Sequence, residues 1–417
     1  MSSAAPASEA AKDRAFAAAQ DFLLGTKTFW TTRMFPALRS EYEARIAARI
    51  APIATVAPAI AAGALDAGNR ANGSRPVHAV ESVAAVLNDS TLYQTFAWLE
   101  RHLQRMKYSG RYGLVNWQAR DRAMLEASLV GAPAVLDPSL ELPRYYVSVD
   151  IHQHPGGVSG DPLAGAVYER GARSTTPLAG QRHADLHERF TQQVAALFGR
   201  VEVGDAGDAS AKTASGLSTD LGTPQPGTPQ ALLDMGCGFG KSTLPFARAF
   251  GAARIEAIDL SAPCLRLAAK TQRDAQFTNV RYAQANAAAT QFGVAEFDLV
   301  TSTMLLHELP PPIVKDVFRE AARVLKAGGW MAHLDFLPQV QPGADAFSRF
   351  IHYGHARRNN EPFMEPLANM DLDALLAELG FTDVAIEAFE EAPGALDPAN
   401  RNWRFPWAVI RARKAGG

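Results

Sequence analysis

Two cysteines, Cys237 and Cys264, are all that the chain contains. Their spacing matches no zinc motif, and a single pair is no disulfide framework. That usage fits a reducing cytosol, so a cytoplasmic protein is expected. An excess of one charge is also missing. Lys and Arg total 41 against 43 Asp and Glu, a formal net charge of −2, so nothing draws the whole molecule to nucleic acid or to an anionic membrane. Long apolar runs are absent as well. The most apolar stretch, residues 50–65, carries Pro52, Pro58 and Gly63 and falls short of the roughly 20 residues that span a bilayer. The first residues, MSSAAPASEAAKDRAF, lack the basic start and apolar core of a secretory signal, and residues 1–12 read as a short disordered tail.

What is there is ordinary in bulk: 417 residues, 47% apolar and 20% charged, enough for two or three domains. Residues 13–200 are expected to form a mainly helical N-terminal domain. Phe35, Leu38, Tyr42 and Ile46, and later Val83, Val86, Leu87, Phe96, Leu99 and Leu103, recur near helical spacing and suit core or dimer packing. Residues 144–180 are richer in glycine and turn residues. They are expected to open with a short strand over 145–150, and a helix is expected over 181–198. Residues 203–229 are almost entirely Gly, Ser, Thr, Ala, Pro and Asp; such a stretch cannot offset its ordering entropy and reads as a flexible linker.

From residue 230 to 417 strand and helix patterns alternate. Strands are expected at 231–235, 254–259, 280–283, 297–302, 330–336, 384–389 and 407–413, and helices at 242–250, 262–276, 312–325 and 371–379. Alternation of this kind implies a mostly parallel sheet covered by helices. No helix separates the last two strands, which suits an antiparallel edge pair.

Asp234-Met235-Gly236-Cys237-Gly238-Phe239-Gly240 follows the first apolar strand and precedes a helix. A phosphate-binding P-loop ending in Gly240-Lys241-Ser242 needs glycine where Met235 stands. A dinucleotide fingerprint starting at Gly236 needs glycine where Lys241 stands. D-x-G-x-G-x-G fits every position and resembles the first motif of class I S-adenosylmethionine-dependent methyltransferases. Further positions are similar in order: Phe297-Asp298-Leu299-Val300 to the fourth-strand motif, Arg323 to Gly329 to the R-V-L-x-P-G-G turn (with Ala327 for proline), and Gly380-Phe381 to the turn into strand six. The resemblance spans residues 231–413. It implies a seven-stranded, mostly parallel Rossmann-like sheet with an antiparallel last strand, and S-adenosyl-L-methionine as cofactor. It further implies that Asp234, Gly236, Gly238 and Gly240 form the cofactor loop and that Asp259 takes the ribose hydroxyls, since a carboxylate accepts two hydrogen bonds from a vicinal diol. Leu260, Asn286, Ala287 and Thr303 complete the set, with Asn286 standing where an acid usually meets the adenine amino group.

His307 and Glu308 follow strand four, at the sheet edge where ligands bind in open α/β folds. His307 is similar to the L-H-D-W histidine that serves as base in small-molecule O-methyltransferases; a substrate contact and a structural role are the alternatives. No N/D-P-P-Y/F/W motif of base or amide N-methyltransferases follows strand four, and no basic stripe interleaves with aromatics, so nucleic acid is not expected as substrate. His152, His154, His183 and His187 raise a metal hypothesis, but scattered histidines more often serve elsewhere, and no metal is expected. Residues 144–177, with Asp150, His152, His154, Tyr168 and Arg170, suit a lid. The long connection 339–370, with Arg349, Tyr353, Arg357 and Arg358 among aromatics, suits a substrate wall for a flat or acid-bearing molecule. His152, His154, Arg349 and Tyr353 are thus the candidate substrate contacts. The resulting expectation is methylation of a small molecule, on oxygen first and carbon second, by a protein without a membrane span that pairs through its N-terminal helices. The rivals are a protein or nucleic-acid methyltransferase and a non-catalytic scaffold that binds the cofactor.

Overall fold

The structure is a computed structural model that describes residues 9–54, 76–107, 119–131, 133–154, 156–172, 183–199 and 228–416. Nearly all of the expected linker at 203–229, most of the tail at 1–12, and much of the apolar stretch at 50–65 lie outside the described residues. Helix α1 (Glu9–Phe29) begins inside the stretch expected as tail.

The N-terminal part is helical as anticipated. α1 runs through a π-helical turn, Trp30–Met34, into α2 (Phe35–Ala54). α3 (Pro76–Leu87), α4 (Thr91–Lys107) and α5 (Ala119–Leu129) follow. The π-helical turn buries Trp30, whose indole lies 4.4 Å from the Phe96 ring and donates to the Phe96 carbonyl at 3.1 Å. Such turns widen a helix locally and re-aim side chains, often at functional sites.

The expected strand over 145–150 is not formed. Pro143 leads into a short helix, α6 (Arg144–Val147), and Ile151–Gln153 form a 3₁₀ turn. Aromatic and β-branched residues favour a strand only where a partner edge exists. Here the β3 edge of the sheet is met instead by Val135, which exchanges backbone hydrogen bonds with Tyr282 and Gln284. α7 (Ala164–Ala172) and α8 (His183–Ala196) complete this part.

The rest is an α/β unit built on β1 (Ala231–Met235), β2 (Arg254–Asp259), β3 (Val280–Gln284), β4 (Phe297–Thr303), β5 (Leu325–Phe336), β6 (Phe381–Ala388) and β7 (Trp407–Lys414). The order is β3-β2-β1-β4-β5-β7-β6. β1 to β5 pair in parallel, and β7 lies antiparallel between β5 and β6. Every residue of β1 is buried, as befits a central parallel strand covered on both faces. Between the strands lie α9 (Thr243–Ala249), α10 (Ala262–Asp274), α11 (Pro311–Val324), α12 (Ala346–Asn359), α13 (Met364–Ala368) and α14 (Leu372–Glu378).

Two apolar clusters flank the sheet. One holds Leu233, Met235, Val314, Phe318 and Leu376. The other joins Leu232, Phe246 and Tyr282 to Leu23, Trp30, Phe96 and Phe190. The helices before residue 200 therefore share a core with the sheet, and α12 packs against α3 and α4. This arrangement sets N-terminal side chains over the C-terminal ends of β1, β2, β4 and β5.

Candidate active site

The loop after β1 owes its shape to its glycines. Gly236, Gly238 and Gly240 all have positive φ (69°, 52° and 82°), a region that side-chain-bearing residues enter at a cost. The demands at Gly238 and Gly240 differ. A Cβ on Gly240 would stand 2.5 Å from the Tyr282 hydroxyl, whereas one on Gly238 would meet nothing within 4 Å. Gly240 is thus a packing glycine, and Gly238 presents bare backbone to open space. Asp234 is fully buried beneath the loop, accepting from Thr243 Oγ1 at 2.7 Å and Ser242 Oγ at 3.2 Å. Burial pushes its carboxyl up to about 7. Asp259, at the end of β2, accepts from Gly238 N at 2.9 Å through Oδ2 and from Ser261 N at 2.7 Å through Oδ1. Each oxygen keeps a lone pair for a further donor. Burial raises its pKa, against those backbone bonds.

A cavity of about 240 Å³ opens beside the loop. Gly236, Gly238, Asp259, Leu260, Asn286, Ala287, Thr303, His307, Glu308 and His152 all line it, so the structure brings most of the candidate residues together. Thr303 Oγ1 is buried there with no hydrogen-bond partner. Asn286 accepts from Ala288 N at 2.9 Å through Oδ1, which leaves its second lone pair and its amide hydrogens. Beyond His307 the cavity runs between Trp30, Phe336, Trp403 and Phe405.

Other candidates fall elsewhere. Asp234 and Gly240 support the loop from outside the lining. His154 is buried without facing the cavity. Arg349 and Tyr353 border a separate recess with Gln339 and Asn369, and Tyr353 Oη donates to Asn369 Oδ1 at 3.3 Å. Arg357 pairs with Glu365 at the surface, and Arg358 pairs with buried Glu100. The side chains of Arg170 and His183 lie outside the described set. Among the described residues, no group of three or more His, Cys, Asp or Glu is arranged to hold a metal ion.

Sequence reasoning named His307, Glu308 and His152 but missed the acids Asp335, Glu361 and Glu100. His307 is 2% exposed, and its Nδ1 lies 2.7 Å from Asp335 Oδ1 at the end of β5. Asp335 also accepts from Leu306 N and Phe336 N, each at 2.8 Å. Glu308 Oε1 stands 3.5 Å from His307 Nε2 and 3.0 Å from His152 Nε2. His152 Nδ1 meets Glu361 Oε1 at 3.0 Å. Beyond it, His355 lies 4.0 Å from Glu361 and 2.6 Å from Glu100. The result is a buried alternation of carboxylate and imidazole. Burial alone would favour a neutral His307 ring, but Asp335 and then Glu308 outweigh it and hold its pKa well above the usual imidazole value. Burial likewise favours neutral Glu308, yet His152 and His307 hold its pKa well below the carboxylate range. A carboxylate closing an otherwise apolar strand was the one available signal for Asp335.

Comparison with known proteins points to one family. A family profile described as a methyltransferase domain matches residues 232–329. An uncharacterized methyltransferase from Synechocystis sp. is 31% identical over 170 residues, covering 37% of this chain and 68% of that protein. The erythromycin 3''-O-methyltransferase of Saccharopolyspora erythraea is 30% identical over 225 residues, covering 52% of this chain and 72% of that protein. A ubiquinone/menaquinone biosynthesis C-methyltransferase from Klebsiella pneumoniae is 31% identical over 124 residues, covering 29% and 49%. No described helix is long and apolar enough to cross a membrane. Sheet order, glycine loop and relatives together place the chain in the family of class I S-adenosylmethionine-dependent methyltransferases.

Proposed function

We propose that this methyltransferase acts on a small molecule, most readily at a hydroxyl oxygen, with His307 as general base. The observation that carries the reading is the Asp335-bound imidazole on the wall of the cavity that also contains the glycine loop. Cavities of a few hundred Å³ with apolar walls and a few convergent polar groups suit small ligands. The activities for which the relatives are named, O-methylation of erythromycin and C-methylation in quinone biosynthesis, support both acceptor atoms. A histidine held by a carboxylate favours oxygen, whose proton must go somewhere.

The pocket fits the cofactor on this chain's own features: a bare Gly238 backbone, two carboxylate oxygens of Asp259 with lone pairs to spare, and the unpartnered Thr303 hydroxyl. In this reading Asp259 takes the ribose hydroxyls, Asn286 and Ala287 meet the adenine, Leu260 packs beside it, and Asp234 orders the loop through Ser242 and Thr243. When bound, S-adenosylmethionine supplies a methyl group on positively charged sulfur, open to in-line displacement. His307 takes the acceptor's proton on Nε2 as the oxygen–carbon bond forms, and Asp335 steadies the imidazolium so produced. Because the His307 pKa is raised, its neutral form becomes abundant at higher pH than for an ordinary imidazole, and activity is expected to rise over that higher range. On the cavity wall Glu100, Glu308 and Glu361 face imidazole or guanidinium partners, Asp259 accepts from backbone N–H groups, and Arg349 and Arg357 lie away from the cavity. The aromatic wall of Trp30, Phe336, Trp403 and Phe405 suits flat phenolic or quinone-like acceptors.

The test is transfer of labelled methyl to a panel of phenols and reduced quinones by wild type and His307→Ala. A loss of roughly 10²- to 10⁴-fold with unchanged cofactor affinity is expected. Full turnover by the variant removes the base assignment.

A further inference from the structure

The residue that ties the N-terminal part to the chemistry is His152, and its backbone is built to aim it. His152 and the following Gln153 both have φ of 56°, left-handed conformations that side-chain-bearing residues hold only when their surroundings insist. Three hydrogen bonds from distant segments do so. Gln104 Nε2 donates to the His152 carbonyl at 3.1 Å, Gln153 Nε2 donates to the Arg358 carbonyl, and Asn360 Nδ2 donates to the Asp150 carbonyl at 2.7 Å. The ring then stacks on Tyr168 with centroids 5.8 Å apart and spans the two carboxylates Glu308 and Glu361. One oxygen, Glu308 Oε1, is contested: it lies 3.0 Å from His152 and 3.5 Å from His307.

We propose that His152 is a positioning residue for methyl transfer, drawing Glu308 away from His307 Nε2 so that this nitrogen stays available to the acceptor's proton. The proposal rests on the reading of His307 as base. Its consequence is that the segment before residue 200 is part of the active site rather than only a cover. Without His152, Glu308 has one imidazole left to pair with and closes on His307 Nε2. That contact both occupies the nitrogen and stabilises the imidazolium. The groups facing these two rings are Asp335, Glu308, Glu361, His352, His355 and Tyr168, and Glu308 is the carboxylate that lies within 3.5 Å of both rings.

The experiment is the titration of ¹⁵N-labelled histidine rings by NMR in the full chain without cofactor, beside the pH profile of kcat/KM. In His152→Ala the His307 ring is expected to keep its proton to higher pH by about one unit, so turnover at neutral pH falls roughly tenfold. Cofactor affinity stays at the wild-type value. Adding Glu308→Gln to His152→Ala returns the His307 titration toward lower pH. A His152→Ala protein that loses thermal stability while its His307 titration and pH profile match wild type overturns the proposal and leaves His152 a structural residue. Loss of the base reading is separate: it shows as full turnover by His307→Ala, whereas the ring titration reports on Glu308 whether or not His307 is the base.

Discussion

Asp335→Asn is the sharpest perturbation of the site, because this fully buried carboxylate serves three donors at once: His307 Nδ1, Leu306 N and Phe336 N. An amide keeps one acceptor oxygen and turns its nitrogen toward groups that need an acceptor. The lost charge-assisted bond and the stranded donor together are expected to cost roughly 2–4 kcal/mol of stability. The sign of the pH dependence follows from the raised His307 pKa. In the unfolded chain the ring titrates near roughly 6.5. Asp335's contribution through this ring is therefore complete below that value and fades as pH rises through the higher folded pKa. The melting-temperature deficit of the variant should be larger at pH 6 than at pH 9. Catalysis should change in two respects. Burial, no longer opposed by Asp335, favours the neutral ring, so the rising limb of kcat/KM moves to lower pH. The plateau falls by roughly 10²- to 10⁴-fold, since nothing steadies the imidazolium or fixes the tautomer. Asp335 does not line the cavity, and cofactor affinity by calorimetry should stay near wild type. A variant that melts lower at every pH but keeps the wild-type limb and plateau refutes the reasoning and makes Asp335 a strand-end brace.

Three further outcomes follow from the loop. Asp259→Ala removes two acceptors from the cofactor pocket and also frees Gly238 N and Ser261 N; cofactor affinity by calorimetry should fall by roughly 100-fold or more, at about 1.5–3 kcal/mol per charged hydrogen bond. Gly238→Ala and Gly240→Ala should separate binding from folding. The first projects a methyl into open space and should mainly weaken binding, with about 1 kcal/mol of backbone strain. The second collides with the Tyr282 hydroxyl at 2.5 Å and should lower the melting temperature sharply. Asp234, pushed up to about 7 by burial, gives the opposite of the usual carboxylate behaviour: its stabilisation is lost as pH rises through 7. Asp234→Asn should therefore gain stability relative to wild type between pH 5.5 and 8.5, measured by thermal melts; a constant difference across that range contradicts the assignment.

The sheet was legible because buried parallel strands are continuous apolar runs set off by helices. β1 and β2 fall at the expected residues, and the missing helix before β7 signalled its antiparallel place. β6 begins at Phe381 rather than 384, where an irregularity between Thr382 and Ala385 breaks the alternation that marks a strand. β5 starts at Leu325 because the Arg323–Gly329 turn itself pairs with Phe297 of β4. Local pattern misled at 145–150, where tertiary pairing decided the outcome. In the site, the shape of the glycine loop was readable because glycine spacing encodes backbone conformation. Asp335, Glu361 and Glu100 were not, because they meet their histidines across sequence separations that only the fold closes. Arg349 and Tyr353 looked like a substrate wall from composition alone, yet they border another recess.

The central claim, that the cavity beside Gly238 and Asp259 holds the methyl donor, is tested most directly by calorimetric titration of wild type and Asp259→Asn. The ligands are S-adenosylmethionine and S-adenosylhomocysteine, with NAD and ATP as controls. The account predicts micromolar binding of the first two to wild type, none of the controls, and a marked loss in the variant. Absence of binding, or equal affinity in both proteins, contradicts it.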